Sequence, residues 1–118
     1  MYTGYFGKVK SYHKDRGLRF VSIARFNRFW SGEKFLSLAP TPDMINIQNE
    51  EEYKKKYYDR VLNKLDPIEV YNKLGDNAVL LCYEKHSDCT SGLKFCHRHM
   101  VARWLEEHID DLEIKELE

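Results

Sequence analysis

Apolar and polar positions along the chain sort into short, separable patterns. Residues 1–6 (Met-Tyr-Thr-Gly-Tyr-Phe) are aromatic and β-prone and run into Gly7, which predicts a first strand. His13 to Gly17 is polar and turn-like, and Phe20-Val21-Ser22-Ile23-Ala24 predicts a second strand. Residues 25–46 carry Gly32, Pro40 and Pro42 among scattered aromatics with no dominant period. They read as a long irregular segment, a type that often carries function inside compact domains. Asn49 before Glu50, Glu51 and Glu52 marks a helix start, because asparagine accepts bonds from the first N–H groups and acids suit the positive end of the helix dipole. Tyr53, Tyr57, Val61 and Leu65 recur every four residues, so they share one face of a helix reaching about Leu65. Asp66-Pro67 opens a second helix that ends at Gly75.

Ala78-Val79-Leu80-Leu81-Cys82-Tyr83 is a continuous apolar run bounded by polar residues, the pattern of a strand buried on both faces. A polar loop over 85–94 follows. A helix over roughly 97–108 then carries Met100, Val101, Trp104 and Leu105 on one side, and Leu112, Ile114 and Leu117 suggest a last edge strand. Strands alternating with helices predict an α/β chain: one small Rossmann-like three-layer domain over 1–118, with a mostly parallel sheet and 78–83 as an interior strand. In such sheets crossovers are right-handed and ligands gather beyond the carboxyl ends of the strands.

Composition agrees with a single core: 118 residues, 42% hydrophobic. Lys+Arg and Asp+Glu are both 19, a balance that argues against coating nucleic acid or an anionic membrane wholesale. A local patch stays open, since residues 1–34 are basic and 105–118 acidic. No apolar run approaches a membrane span, and the N-terminus lacks a signal-peptide layout. With three cysteines, an odd count, the expectation is reduced thiols in a cytoplasmic protein.

The chemistry concentrates in residues 82–98. Cys82 and Glu84 lie at the carboxyl end of the most buried strand, and strand alternation puts them on one face. Cys96, His97 and Arg98 open the next helix, where N–H groups and the dipole favour anions and lower a thiol's pKa. Arg98 adds a planar fork suited to phosphate or carboxylate. Arg25, at the end of the second strand, together with Tyr5 and Ser22, is expected on the same rim.

Val79-Leu80-Leu81-Cys82-Tyr83-Glu84, then a polar loop, then Cys96-His97-Arg98 and a helix with Ala102, Trp104 and Leu105, resembles the signature of the Domain of Unknown Function 488 family. The opening Tyr2-Thr3-Gly4-Tyr5 and the strand ending in Arg25 are similar to that family's N-terminal pattern. The family often has an acid before the matching arginine and a proline soon after it; this chain has Ala24 and Asn27-Arg28-Phe29, and a longer loop holding Cys89. The resemblance implies a Rossmann-like fold and supplies no settled reaction.

Plainer readings stand beside these. Cys82 can be a small buried hydrophobe, Glu84 a solvated strand end, and Arg98 a partner of a loop carbonyl. His99 reads as a surface residue. Tyr53, Tyr57 and Tyr58 read as core and rim, Lys54, Lys55 and Lys56 as a solvated face, and Met100 and Trp104 as core. Cys82, Cys89, Cys96, His97 and His99 offer enough soft donors for zinc, but no Cys-x-x-Cys pair occurs, so neither a metal nor another cofactor is expected. The leading expectation is an enzyme, a hydrolase or transferase of nucleotide or nucleic-acid substrates. Glu84 is its base or nucleophile, Cys82, Cys96 and His97 its other catalytic groups, and Arg98, Arg25, Tyr5 and Ser22 its ligand contacts. The alternatives are a non-catalytic binder of a phosphorylated small molecule, a Cys/His metal protein, and a thiol-based protein.

Overall fold

A computed structural model describes residues 1–11, 17–25, 30–44, 47–83 and 96–117. Its frame is a sheet of five described strands: β1 (Tyr2–Tyr5), β2 (Arg19–Ser22), β3 (Glu33–Lys34), β4 (Ala78–Cys82) and β5 (Lys115–Glu116), in the order β3-β2-β4-β1-β5. Every described pairing is parallel. The expected α/β chain with a parallel sheet is therefore present, and β4 is interior, with Tyr5 paired to Cys82 on one side and Ser22 to Leu81 on the other.

All five residues of β4 are buried, which is why their run is unbroken by polar residues. Alternation divides them. Ala78 and Leu80 join a core with Tyr57, Leu74, Val101 and Leu105, while Val79 and Leu81 join Leu117, Phe6, Phe20 and Trp30. The three described α-helices, α1 (Glu50–Arg60), α2 (Pro67–Leu74) and α3 (His97–His108), contribute to the first of these cores. The opposite face is covered by the 3-10 segment Phe6–Ser11, Leu18 and Trp30.

Helix ends follow local chemistry. The Asn49 side chain accepts from Glu52 N–H at 2.9 Å, and Asp66 accepts from Ile68 N–H at 3.0 Å with Pro67 at the first helical position. Gly75 ends α2 at φ 85°, a left-handed value that glycine adopts without strain. α1 stops at Arg60, short of the expected Leu65, and a 3-10 turn over Leu62–Lys64 takes its place. Val61 already leaves helical geometry, at φ −123° and ψ −68°, and Pro67 with Asp66 extended at ψ 117° bars any continuation beyond the 3-10 turn.

The segment read as irregular contains β3 and 3-10 turns at Leu36–Leu38 and Pro42–Met44. β3 escaped the hydrophobic pattern because its two residues are polar and exposed; it is a sheet edge, held to Val21 and Ser22 by backbone pairing. Most of the turn predicted over His13–Gly17, the Asn27-Arg28-Phe29 run and the loop over 85–94 lie outside the described residues.

Candidate functional site

Three parallel strands deliver their carboxyl ends to one rim. β1 ends at Tyr5, β2 at Ser22 with Ile23, Ala24 and Arg25 beyond, and β4 at Cys82. Cys82 shares its strand face with Ala78 and Leu80, so it points toward the helices, where α3 begins.

Cys96 is the N-cap of α3, with extended backbone (φ −136°, ψ 140°), and its side chain makes no capping bond. Its sulfur turns toward Cys82, and the two are paired as a disulfide across a Cα separation of 7.0 Å. The odd cysteine count led to an expectation of free thiols; proximity imposed by the sheet and helix, which a count does not see, brings these two together. The separation lies just beyond the usual range for disulfide-bonded cysteines, roughly 4.4–6.8 Å.

His97 is buried beside them. Its Nε2 lies 2.7 Å from the Ile23 carbonyl oxygen, so that nitrogen carries the proton and donates, and Nδ1 lies 4.0 Å from Cys96 Sγ. The ring meets Tyr57 edge-on, with centroids 5.5 Å apart. Burial pushes the imidazole pKa down to about 4, against the pull of the Ile23 carbonyl and with help from the nearby Arg98 charge, so His97 is neutral at pH 7.

A pH dependence of stability follows. The unfolded histidine titrates near 6.5 and the folded one near 4. Below about pH 6.5 the unfolded chain therefore takes up a proton that the folded chain refuses. Stability is complete above that pH and falls as pH drops toward 4. Between pH 7 and pH 5 the loss is expected to be about 2 kcal/mol, most of it absent in His97→Asn. Denaturant unfolding of both proteins at the two pH values measures it, and a wild type equally stable at both would refute a buried neutral His97.

Arg98 has no exposed surface. Its Nε and Nη2 donate to the two carboxylate oxygens of Glu116 at 3.1 and 3.0 Å, and its Nη1 donates to Cys82 Sγ at 3.1 Å. The Tyr5 ring lies 5.9 Å from its Cζ. Glu116 also accepts from Thr3 Oγ1 at 2.6 Å. Burial raises the Glu116 pKa, but the bonds from Arg98 and Thr3 and the Arg98 charge outweigh it, and the carboxyl is held below its usual value. The fork expected to grip an external anion thus holds a carboxylate of the chain itself.

The remaining expected residues are placed as follows. Tyr5 stands beside both Cys82 and Arg98. Ser22 is buried, and its Oγ accepts from Ala24 N–H at 3.3 Å. Arg25 is on the rim with its Nε bonded to the Pro40 carbonyl at 2.9 Å. Glu84 and Cys89 lie outside the described residues. His99, read as a surface residue, is half-buried.

Sequence reasoning missed Glu116. It sits in an acidic tail that looks like a solvated run, and its only signal was position, between Ile114 and Leu117 in the expected edge strand. It also missed an aromatic trio on the rim: Phe6 lies 5.6 Å from Trp30 and 5.3 Å from Tyr83, centroid to centroid. Tyr83, next to Cys82, is 47% exposed.

No protein-family model, curated protein or solved structure matches the chain. Among the described residues no helix is long and apolar enough to cross a membrane.

Proposed function

We propose that the protein is an enzyme acting on a nucleotide or nucleic-acid substrate at the carboxyl rim of its sheet. The observation that carries this reading is the partly exposed aromatic trio at that rim, Phe6, Trp30 and Tyr83, on the sheet face opposite the buried cluster of Cys82, Cys96 and His97. A partly exposed aromatic surface at the carboxyl ends of the strands suits the flat face of a base. The same proposal includes the Domain of Unknown Function 488 resemblance, its Rossmann-like fold and a cytoplasmic location.

In this reading Tyr83 stacks on the base. Glu84 follows it directly in sequence and serves as general base or nucleophile. Phosphate falls to Arg25 rather than Arg98, whose fork already holds Glu116. His97, kept neutral by burial and fixed by Ile23, serves as an orienting group.

Calorimetry with a panel of nucleosides, nucleotides and short oligonucleotides, paired with product analysis, tests the proposal. Tyr83→Ala is expected to weaken base-bearing ligands by about 1–3 kcal/mol. Glu84→Gln is expected to keep the ligand and lose turnover. Binding without turnover in the wild type would make the protein a non-catalytic binder, and no binding of any panel member would overturn the reading.

A further inference from the structure

The geometry points to a metal site: in its reduced form the protein holds one zinc-class divalent ion on Cys82 Sγ, Cys96 Sγ and His97 Nδ1. The three donors come from two places, Cys82 at the end of β4 and the consecutive Cys96 and His97 at the start of α3, and one ligand atom of each lies within 4.8 Å of the others. Two thiolates and an imidazole make a soft to borderline set that selects zinc over calcium or magnesium.

Three features separate this cluster from an accidental meeting of buried residues. The first is His97. A metal-bound histidine nearly always donates its other ring N–H to a carbonyl or carboxylate, and here Nε2 is directed at the Ile23 carbonyl while Nδ1 faces the sulfurs. The second is spacing. With Zn–S bonds of about 2.3 Å in a tetrahedron, the two sulfurs sit roughly 3.8 Å apart. A Cα separation of 7.0 Å, wide for a disulfide, is compatible with that spacing once the bond is reduced and the side chains turn apart. The third is charge. Zinc and two thiolates sum to zero, and the cation donating to Cys82, Arg98, is itself neutralised by Glu116, so no net charge is buried.

Reduction must come first. A phosphine reductant takes oxygen from water and delivers two electrons and two protons to the sulfurs, giving two thiols. Zinc then displaces both thiol protons to solvent. Three protein ligands leave a fourth tetrahedral position for water or substrate, the pattern of catalytic rather than structural zinc. The site stands on the cluster's own geometry and holds whether or not the substrate is a nucleotide.

The test uses the whole chain, reduced with a phosphine and stripped of metal under anaerobic conditions. Titration with Co2+ should saturate at one ion per chain, with a sulfur-to-cobalt charge-transfer band that added Zn2+ removes. Cys96→Ser should abolish the band. Because that variant removes a buried group, X-ray absorption of the zinc-loaded wild type provides a measurement independent of its folding. Two sulfurs at about 2.3 Å with nitrogen or oxygen at about 2.0–2.1 Å are expected. A shell of nitrogen and oxygen alone, a cobalt spectrum without the thiolate band, or no stoichiometric binding would overturn the proposal. Metal binding with no nucleotide binding would leave the site standing and remove the substrate reading.

Discussion

Glu116→Ala is expected to destabilise the fold by about 3–5 kcal/mol, the cost of stranding a buried charge. Arg98 is fully buried, and Glu116 is its bidentate partner through Nε and Nη2. Removing the carboxylate leaves a guanidinium that cannot shed its proton and has no water to replace the lost acceptor. Thr3 loses its acceptor as well. The effect also reaches the site, because the pair holds Arg98 where its Nη1 meets Cys82. Denaturant unfolding of wild type and variant measures the change, and a loss below about 1 kcal/mol would mean that the pair is solvated in solution. Arg98→Met with Glu116→Leu is a sharper comparison. If the single-variant cost is stranded charge, the double variant recovers most of the stability, since apolar replacement of a whole buried pair is often neutral or better. Glu116 also adds to the acid sensitivity. Its lowered pKa contributes stability above the unfolded value that is lost as pH falls through the folded one.

Leu80→Ala is expected to cost roughly 2–5 kcal/mol. Leu80 is the centre of β4, fully buried, in the core built with residues of all three described helices. It pairs across the sheet with Thr3 of β1 and Val21 of β2. With strands on both sides and helices above, the backbone has little room to collapse into the space left, so the cavity persists and adds to the lost transfer free energy. Leu80→Met, which nearly conserves volume, should cost less than about 1.5 kcal/mol. Equal losses for the two variants in thermal or denaturant unfolding would show that the position is not close-packed.

The elements carried by strong local patterns were legible before any coordinates. Ala78 to Cys82 could be read as a buried interior strand because a strand covered on both faces has no polar positions to alternate with. Asn49, Asp66-Pro67 and Gly75 marked helix ends because capping is chemistry among neighbours in sequence. The helix over His97–His108 and the grouping of Cys82, Cys96 and His97 near one rim followed from order and periodicity alone.

What only the tertiary structure decided depends on partners distant in sequence. β3 is two exposed polar residues made a strand by backbone bonds to β2, a property no side-chain pattern records. The face on which the three described helices pack is set by how the chain crosses the sheet, not by any one helix. Arg98 has the side chain of an anion receptor at a helix start, and its sequence neighbourhood favours that role. Its partner lies 18 residues away, on an edge strand that reaches Arg98 only because β5 pairs with β1. The cysteines, 14 residues apart, likewise meet only through the stacking of α3 on β4. Residue types therefore determined which chemistry this rim can perform. The fold determined which of those groups face one another, because electrostatics and hydrogen bonding act over a few ångströms in space and take no account of separation along the chain.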